Sequence, residues 1–196
     1  RLKSEVAAEV TALLAFSAVQ NNDKTGLLIA TDEVEKFIPV KKGKTHVLRV
    51  VREILYYQPK RRRTRLSTAL EYLHNFLTRT AVIFLISDFM HTGFEKPLKI
   101  LGQKHDVIAI HLKDRREFEI PAIGLARIED PETGESILVD TNRRDLREAF
   151  AAENRMREEK LTQLFKRMKI DRIDISAEGS YVEPVMKFFK LREKRL

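Results

Sequence analysis

The chain has 196 residues, enough for one domain with a buried core, and 43% of them are hydrophobic. It contains no cysteine, which excludes disulfides, thiolate metal sites and a cysteine nucleophile. No apolar run approaches the roughly 20 residues that a membrane-spanning helix needs, and no signal-peptide pattern is found. We therefore expect a cytoplasmic protein.

The net charge of +8 permits binding to nucleic acid, acidic proteins or anionic lipid. Basic residues are densest in Lys60–Arg63 and in the C-terminal tail from Lys187 to Arg195. Elsewhere they are interleaved with acidic residues on predicted helices, so we expect no single basic block. A nucleic-acid-binding domain that uses the basic loop 60–65 and this tail is the alternative functional hypothesis. The loop lacks interleaved aromatic residues, which favours a solvated loop instead.

Helical periodicity and short apolar runs bounded by turn residues predict the elements of the chain. In chain order they are helix 2–20, a hairpin of strands 26–30 and 34–39, helix 45–56, helix 66–77, strand 81–86, helix 94–102, strand 106–112, a hairpin of strands 123–128 and 135–139, helix 142–169, strand 172–175 and helix 181–192. The recurring strand–helix–strand order favours an α/β domain. We predict one domain over 1–196, with an open, mostly parallel sheet, helices on both faces and a hairpin insertion at 113–141.

The stretch from Thr80 to Met90 is the most strongly apolar of these. Its unbroken run from Ala81 to Ile86 ends at Ser87 and Asp88. A continuous run predicts a strand that is buried on both faces, and we place it at the centre of the sheet. A carboxylate at the carboxyl end of such a strand lies where open α/β sheets form their ligand crevice. Asp88 is therefore a candidate site residue, although an Asp at this position also commonly caps the following helix.

The sequence lacks the patterns of common catalytic sites. Ser87, Asp88 and His91 are close in sequence, but a Gly-x-Ser-x-Gly elbow is missing. A phosphate-binding Gly-x-x-x-x-Gly-Lys loop is missing too. No pair of histidines has metal-binding helical spacing, so we expect ordinary surface or core positions for all five: His46, His74, His91, His105 and His111. A non-enzymatic role is the expectation.

Several motifs together resemble the von Willebrand factor A-like domains of the bacterial domain-of-unknown-function family 58, in that family's order and over essentially the whole chain. The resembling stretches are 3–16, 26–29, 64–70, 86–89, 120–125, 130–135 and 139–141. The most specific of them is the Asp-Pro-Glu-Thr-Gly-Glu hairpin at 130–135. The resemblance implies a von Willebrand factor A-like fold of Rossmann type. It also implies a protein-interaction module that partners a MoxR-type AAA+ ATPase in complex assembly or metal-cofactor insertion.

The resemblance further implies a metal-ion-dependent adhesion site for Mg²⁺, built from an Asp-x-Ser-x-Ser loop, a Thr and an Asp. Thr64 matches the Thr and Asp88 the Asp, and an acidic residue of the partner would complete the coordination. The Asp-x-Ser-x-Ser loop is not in this sequence, and Arg65 stands where the family commonly has an acid. Because Mg²⁺ requires near-octahedral oxygen ligation, we expect a remnant site that binds no divalent ion specifically in this chain.

The first strand of the von Willebrand factor A-like fold, which precedes that loop, is also not in this sequence. The resemblance places that strand between the strands at 26–30 and 81–86. We therefore expect these two strands either to pair directly or to leave unpaired edges through which copies of the chain associate, unless residues upstream of Arg1 supply the strand.

Overall fold

The computed structural model describes residues 2–129 and 133–194. The described helices are α1 (Lys3–Gln20), α2 (Lys44–Tyr56), α3 (Leu66–Phe76), α4 (Glu95–Lys104), α5 (Arg144–Met168) and α6 (Val182–Glu193). The described strands are β1 (Thr25–Ala30), β2 (Val34–Lys41), β3 (Val82–Ser87), β4 (Asp106–Lys113), β5 (Leu125–Glu129), β6 (Ser136–Asp140) and β7 (Asp171–Ser176). Each predicted helix and strand is confirmed, with small shifts at its ends.

A parallel sheet with the order β3-β4-β7 forms the centre of the molecule. The central strand is β4, whose residues from Val107 to Leu112 are all buried. The prediction that the apolar run at 81–86 is the central strand is wrong for the described part of the chain, where β3 pairs with β4 alone. Helices cover both faces of β3, so its side chains are apolar from Val82 to Ile86 although no described strand lies beside one of its edges.

Helices pack on both faces of this sheet, as predicted, and produce two separate cores. One core lies under α3, α4 and α5 and includes Leu70, Leu85, Leu98, Leu101 and Phe165. The other lies under α1 and α6 and includes Val6, Val10, Ile110, Ile175 and Val185. Burial of side chains of this size stabilises a fold by about 1.5–3 kcal/mol each before entropy is subtracted. The sheet is therefore fixed from both sides.

The predicted N-terminal hairpin is confirmed as an antiparallel pair, β1 with β2, that forms a sheet of its own. Direct pairing between β1 and β3, one of the two expected outcomes, is not formed in the described residues. Local constraints fix the hairpin instead. The pairing register shifts between Thr25 and Leu27, and a Cβ added to Gly26 would lie 2.8 Å from the Ile38 carbonyl oxygen. Only glycine permits this close approach of β1 to β2.

The predicted hairpin insertion is confirmed as a third sheet, β5 with β6. Its base is held by the buried Thr141, whose hydroxyl accepts the Ile123 N–H at 2.9 Å and donates to the Gly124 carbonyl at 2.7 Å. Residues 130–132 of the predicted turn lie outside the described residues. No helix within residues 2–129 or 133–194 has the length and apolar character needed to cross a membrane.

Candidate functional site

Asp88 lies at the carboxyl edge of the parallel sheet, in a tight turn that follows β3. The Ser87 hydroxyl oxygen accepts the Phe89 N–H at 3.0 Å, and Asp88 Oδ1 accepts the Met90 N–H at 3.2 Å. Each bond closes a short side-chain-to-backbone turn, and the second also orients the Asp88 carboxylate. The short α4 begins only at Glu95, so Asp88 does not cap that helix.

The turn is anchored by Phe89, which adopts a left-handed backbone conformation with φ of 52°. This conformation is rare for a bulky residue and costs energy. The Phe89 ring is buried, and its centroid lies 5.2–5.7 Å from the rings of three side chains: Phe94, His111 and Phe165. Aromatic packing therefore offsets the backbone strain and holds Asp88 at the edge.

The closest charged neighbour of Asp88 is Lys3, from the first turn of α1. Lys3 Nζ lies 3.1 Å from Asp88 Oδ2 and also forms an ion pair with Glu117, and all three side chains are half-buried. Burial alone would raise the pKa of Asp88. The Lys3 charge and hydrogen bond, together with the Met90 N–H, outweigh burial and lower the pKa below its ordinary value. Asp88 is therefore an ionised carboxylate held by an ammonium group.

Thr64, the second predicted site residue, lies in the loop before α3. Its neighbour Arg65 donates its backbone N–H to the Thr31 carbonyl at 2.9 Å, directly after the end of β1. Thr68 also donates its hydroxyl to the Asp32 carbonyl at 3.3 Å. The structure thus places Thr64 beside the carboxyl end of β1 and Asp88 at the carboxyl end of β3.

These residues do not fit a divalent ion in the observed arrangement. Asp88 and Thr64 offer oxygen ligands of the kind that Mg²⁺ prefers. The Asp88 carboxylate, however, already accepts the Lys3 ammonium on one oxygen and the Met90 N–H on the other. A metal ion would have to displace Lys3 and would leave that ammonium facing a second cation. The cation at this carboxylate is a protein side chain.

A second group of ionisable side chains joins β4, β7 and α5 at the same edge. Potential metal-ligand atoms of His111, Glu158 and Asp174 lie within 4.8 Å of one another. Two protein cations already occupy them. Lys113 Nζ lies 2.7 Å from Glu158 Oε1, and Arg172 bonds to Asp174 at 2.7 Å, to His111 Nδ1 at 2.8 Å and to Glu158. This arrangement is an ion-pair network rather than a metal site.

The carboxylates of this network are strongly stabilised in the ionised form. Burial would raise the pKa of Asp174, but its hydrogen bond with His111 and the charges of Arg172 and Lys113 lower it well below its usual range. Burial also raises the pKa of Glu158, whereas the hydrogen bonds and charges of Lys113 and Arg172 lower it. The two cations outweigh burial, so the pKa of Glu158 lies below its ordinary value. The network therefore connects two strands to α5 through matched charges.

Sequence reasoning missed these partners. The sequence predicts an ordinary position for His111. It gives no reason to group His111 with Glu158 and Arg172, or Lys3 with Glu117, because these residues are far apart in the chain. One signal was present in the sequence. His111 is a polar residue within the buried run of β4, and it faces Asp174 in the register between β4 and β7. Polar residues at corresponding positions of neighbouring strands indicate a shared contact at the sheet edge.

A family model described as "Protein of unknown function DUF58" matches residues 1–160. The chain belongs to this family. Uncharacterized proteins of Mycobacterium tuberculosis and Mycobacterium bovis are 27% identical to it over 135 residues, which is 67% of this chain and 43% of each relative. An uncharacterized protein of Mycobacterium avium is 34% identical over 83 residues, 41% of this chain and 49% of the relative. The chain thus spans less than half the length of these relatives.

Two solved structures share the fold. One is the conserved hypothetical protein BatB from Bacteroides thetaiotaomicron, with a TM-score of 0.58 and 13% identity over 97% of this chain and 87% of that protein. The other is an aerotolerance-related membrane protein from Bacteroides fragilis that carries multiple mutations to serine. Its TM-score is 0.60, with 15% identity over 98% of this chain and 89% of that protein. At these identities the likeness shows a common fold and nothing about activity.

Proposed function

We propose that this chain is a non-enzymatic protein-interaction module with a von Willebrand factor A-like fold. The observation that carries the proposal is the ionised Asp88 at the carboxyl edge of the parallel sheet, fixed by the strained Phe89 turn. Open α/β sheets bind their ligands at this edge. Backbone strain that is maintained by surrounding packing is also common at functional sites.

The partner that we propose is a MoxR-type AAA+ ATPase, in complex assembly or metal-cofactor insertion, as the family resemblance implies. The edge presents a charged cluster of Lys3, Asp88 and Glu117 beside the exposed apolar side chain of Met90. Charged groups around an apolar contact are typical of a protein interface. Mg²⁺ takes no part in this proposal, because the Lys3 ammonium occupies the Asp88 carboxylate.

The test is a binding titration between the purified chain and a MoxR-type ATPase of its source organism, with and without EDTA. We expect Asp88→Asn and Met90→Glu to weaken binding at least tenfold, the effect of losing one well-packed interface contact. Asp23→Asn changes an exposed carboxylate, and Ile100→Glu changes an apolar side chain that is 38% exposed, against 39% for Met90; both residues lie in other parts of the chain and serve as controls. EDTA is expected to have no effect.

Two results would contradict the proposal. If the unmodified chain does not bind the ATPase, the proposed partner is wrong. If it binds but the edge variants bind equally well, the proposed surface is wrong. Loss of binding in EDTA would show that a metal ion is required, either at Asp88 or with the nucleotide of the ATPase, and thermal unfolding of each variant verifies that its fold is intact.

A further inference from the structure

The net charge of the protein is concentrated in one segment, residues 41–65. This segment contains ten of the 37 Lys and Arg residues and only one of the 29 Asp and Glu residues. It alone has a net charge of +9, against +8 for the whole chain, so the remainder is close to neutral. The expectation that no single basic block exists is therefore wrong. In the C-terminal helices α5 and α6, ten basic residues are interleaved with seven acidic ones, whereas Glu53 is the one acid in residues 41–65.

All ten basic side chains of this segment are exposed, and they lie at the end of β2, on α2 and in the loops at its two ends. They are Lys41, Lys42, Lys44, Arg49, Arg52, Lys60, Arg61, Arg62, Arg63 and Arg65. The one acid, Glu53, is half-buried and pairs with Lys36 of β2 at 3.1 Å. Arg61 turns back to Asp32 and Glu33 at 3.3 and 3.1 Å. The other nine form a basic surface, which we call the α2 surface.

The loop that follows α2 is fixed in place rather than free. The Glu35 carboxylate accepts the backbone N–H groups of Lys60 and Arg61 at 3.0 and 3.1 Å. It also accepts the hydroxyls of Tyr57 and Thr31, each at 2.7 Å. Three of these hydrogen bonds, from Tyr57, Lys60 and Arg61, hold the loop against β2, and the Thr31 hydroxyl orients the carboxylate. The cations of the loop are therefore positioned before a partner binds, which lowers the entropic cost of binding.

Apolar side chains lie among the cations of the α2 surface. α2 buries Val47 and Val50 against the fold. On its outer side Leu48 is 48% exposed, Leu55 54% and Tyr56 79%. Arg49 and Arg52 line the same open groove of about 770 Å³ as Leu48 and Tyr56. Residues three, four and seven apart share one side of a helix, so Leu48, Arg52 and Leu55 lie on the outer side of α2, where Arg52 stands between exposed apolar side chains.

We propose that the α2 surface is a docking site for an acidic protein segment with an apolar stripe, such as an acidic amphipathic helix. Charge complementarity selects a partner rich in carboxylates. Two exposed leucines favour protein over nucleic acid, because phosphates and bases are bound by cations and aromatic rings, whereas aliphatic side chains gain by apolar burial. Tyr and Arg around an apolar centre are also the residues enriched at protein interfaces. This proposal is independent of the one for the Asp88 edge.

The test measures binding of the whole chain to four fluorescent probes. They are a helical peptide with Glu and Leu on one face, the same peptide with each Leu replaced by Gln, a single-stranded DNA of equal charge, and vesicles that contain phosphatidylserine. We expect the Glu–Leu peptide to bind with the highest affinity and to weaken with added salt.

Two pairs of substitutions separate the contributions of charge and apolar contact. Arg49→Gln with Arg52→Gln, and Leu48→Ser with Leu55→Ser, are each expected to weaken binding of the Glu–Leu peptide at least tenfold. Lys99→Gln with Lys166→Gln, and Met186→Ser with Leu191→Ser, alter equally exposed residues of other helices and are expected to leave binding unchanged. Because all these side chains are exposed, we expect every variant to fold, and circular dichroism verifies this.

The proposal is overturned if the Glu–Leu peptide fails to bind, or if it binds no better than its Gln counterpart. It is also overturned if DNA or vesicles bind more tightly and the leucine substitutions have no effect. The last result would assign the α2 surface to phosphates, either of nucleic acid or of lipid headgroups.

Discussion

Glu35 shows how one surface residue organises a loop at some distance in sequence. Its pKa falls to about 2, first because of the hydrogen bond from the Lys60 N–H and then because of the Tyr57 and Thr31 hydroxyls and the Arg61 N–H. The effect on Tyr57 is reciprocal. The hydrogen bond to Glu35 is the largest of the causes that raise its pKa to about 12. A residue that reads as an ordinary strand Glu in the sequence is thus the anchor of the basic loop.

We predict that Glu35→Gln lowers the pKa of Tyr57 from about 12 towards its ordinary value of 10.0. The amide keeps the size of the side chain but removes the charge that disfavours the phenolate. NMR titration of the tyrosine ring carbons measures this pKa. Glu33→Gln is the matched control, since Glu33 contributes a smaller electrostatic effect and is expected to change the value less. A Tyr57 pKa that stays near 12 in Glu35→Gln contradicts this account.

The same bonds predict how the loop responds to acid. The folded-state pKa of Glu35, about 2, lies below the ordinary value of 4.5. Its stabilising contribution is therefore complete above about pH 4.5 and is lost as the pH falls towards 2. At neutral pH, Glu35→Gln should increase trypsin cleavage between Lys60 and Arg65, because the loop loses its charged anchor. Unchanged cleavage would show that other contacts hold the loop.

For the helices and strands, the sequence pattern predicted the type and bounds of an element better than its position in the sheet. The periodicity of α2 predicts a helix over 45–56, and the structure has Lys44–Tyr56, because amphipathic spacing is a local property. The apolar run of β3 correctly predicts a strand covered on both faces. Its place at the sheet edge could not be predicted, since helices on both faces impose the same composition on an edge strand and a central one.

In the candidate site, too, the residue that follows from a local pattern could be predicted and its partners in space could not. The carboxyl end of β3 is a local feature, and Asp88 follows from it. Its partner Lys3 is 85 residues away in the sequence, and the two meet because α1 packs across the sheet. Similarly, Arg172 reaches Glu158 only because α5 lies against β7. Pairings of this kind depend on tertiary packing, which no motif in the sequence encodes.

The ion-pair network between β4, β7 and α5 is expected to contribute to the stability of the fold. The Arg172 side chain is 11% exposed, and its loss leaves the Glu158 and Asp174 carboxylates without their central donor. We expect Arg172→Met to lower the free energy of unfolding by about 2 kcal/mol, as for other partly buried charged hydrogen bonds. Urea denaturation at pH 7 measures it.

The control for this experiment is Arg144→Met, which removes an exposed ion pair with Glu148 in α5. Exposed pairs at this spacing contribute about 0.3–0.5 kcal/mol.

The pH dependence of stability gives a second test of the network. The pKa values of Glu158 and Asp174 are lowered, so the network stabilises above about pH 4.5 and weakens as the pH falls below it. Arg172→Met should therefore lose less stability than the unmodified protein between pH 7 and pH 3. An equal loss would contradict the assigned role.

For the molecule as a whole, the most consequential feature is that the main sheet and the N-terminal hairpin are separate. Among the described residues, β1 has only β2 as a neighbour and β3 only β4. Val82 at the start of β3 is 57% exposed. Unpaired strand edges are templates for pairing with another chain. Since β1 and β3 do not pair with each other, two expectations from the sequence remain: association between copies, or a strand from outside the given 196 residues beside these edges.

We therefore predict that this 196-residue chain associates reversibly as its concentration rises from micromolar to millimolar, as measured by sedimentation velocity. Val82→Lys is expected to shift the equilibrium towards monomer, because a charged side chain on an edge strand opposes pairing. The comparison variant is Leu138→Lys on the β5–β6 hairpin, where Leu138 is 69% exposed. If Leu138→Lys alone restores the monomer, association occurs through the hairpin rather than through β3. A monomer at every concentration would show that the free edges do not recruit a second chain, despite their unpaired backbone groups.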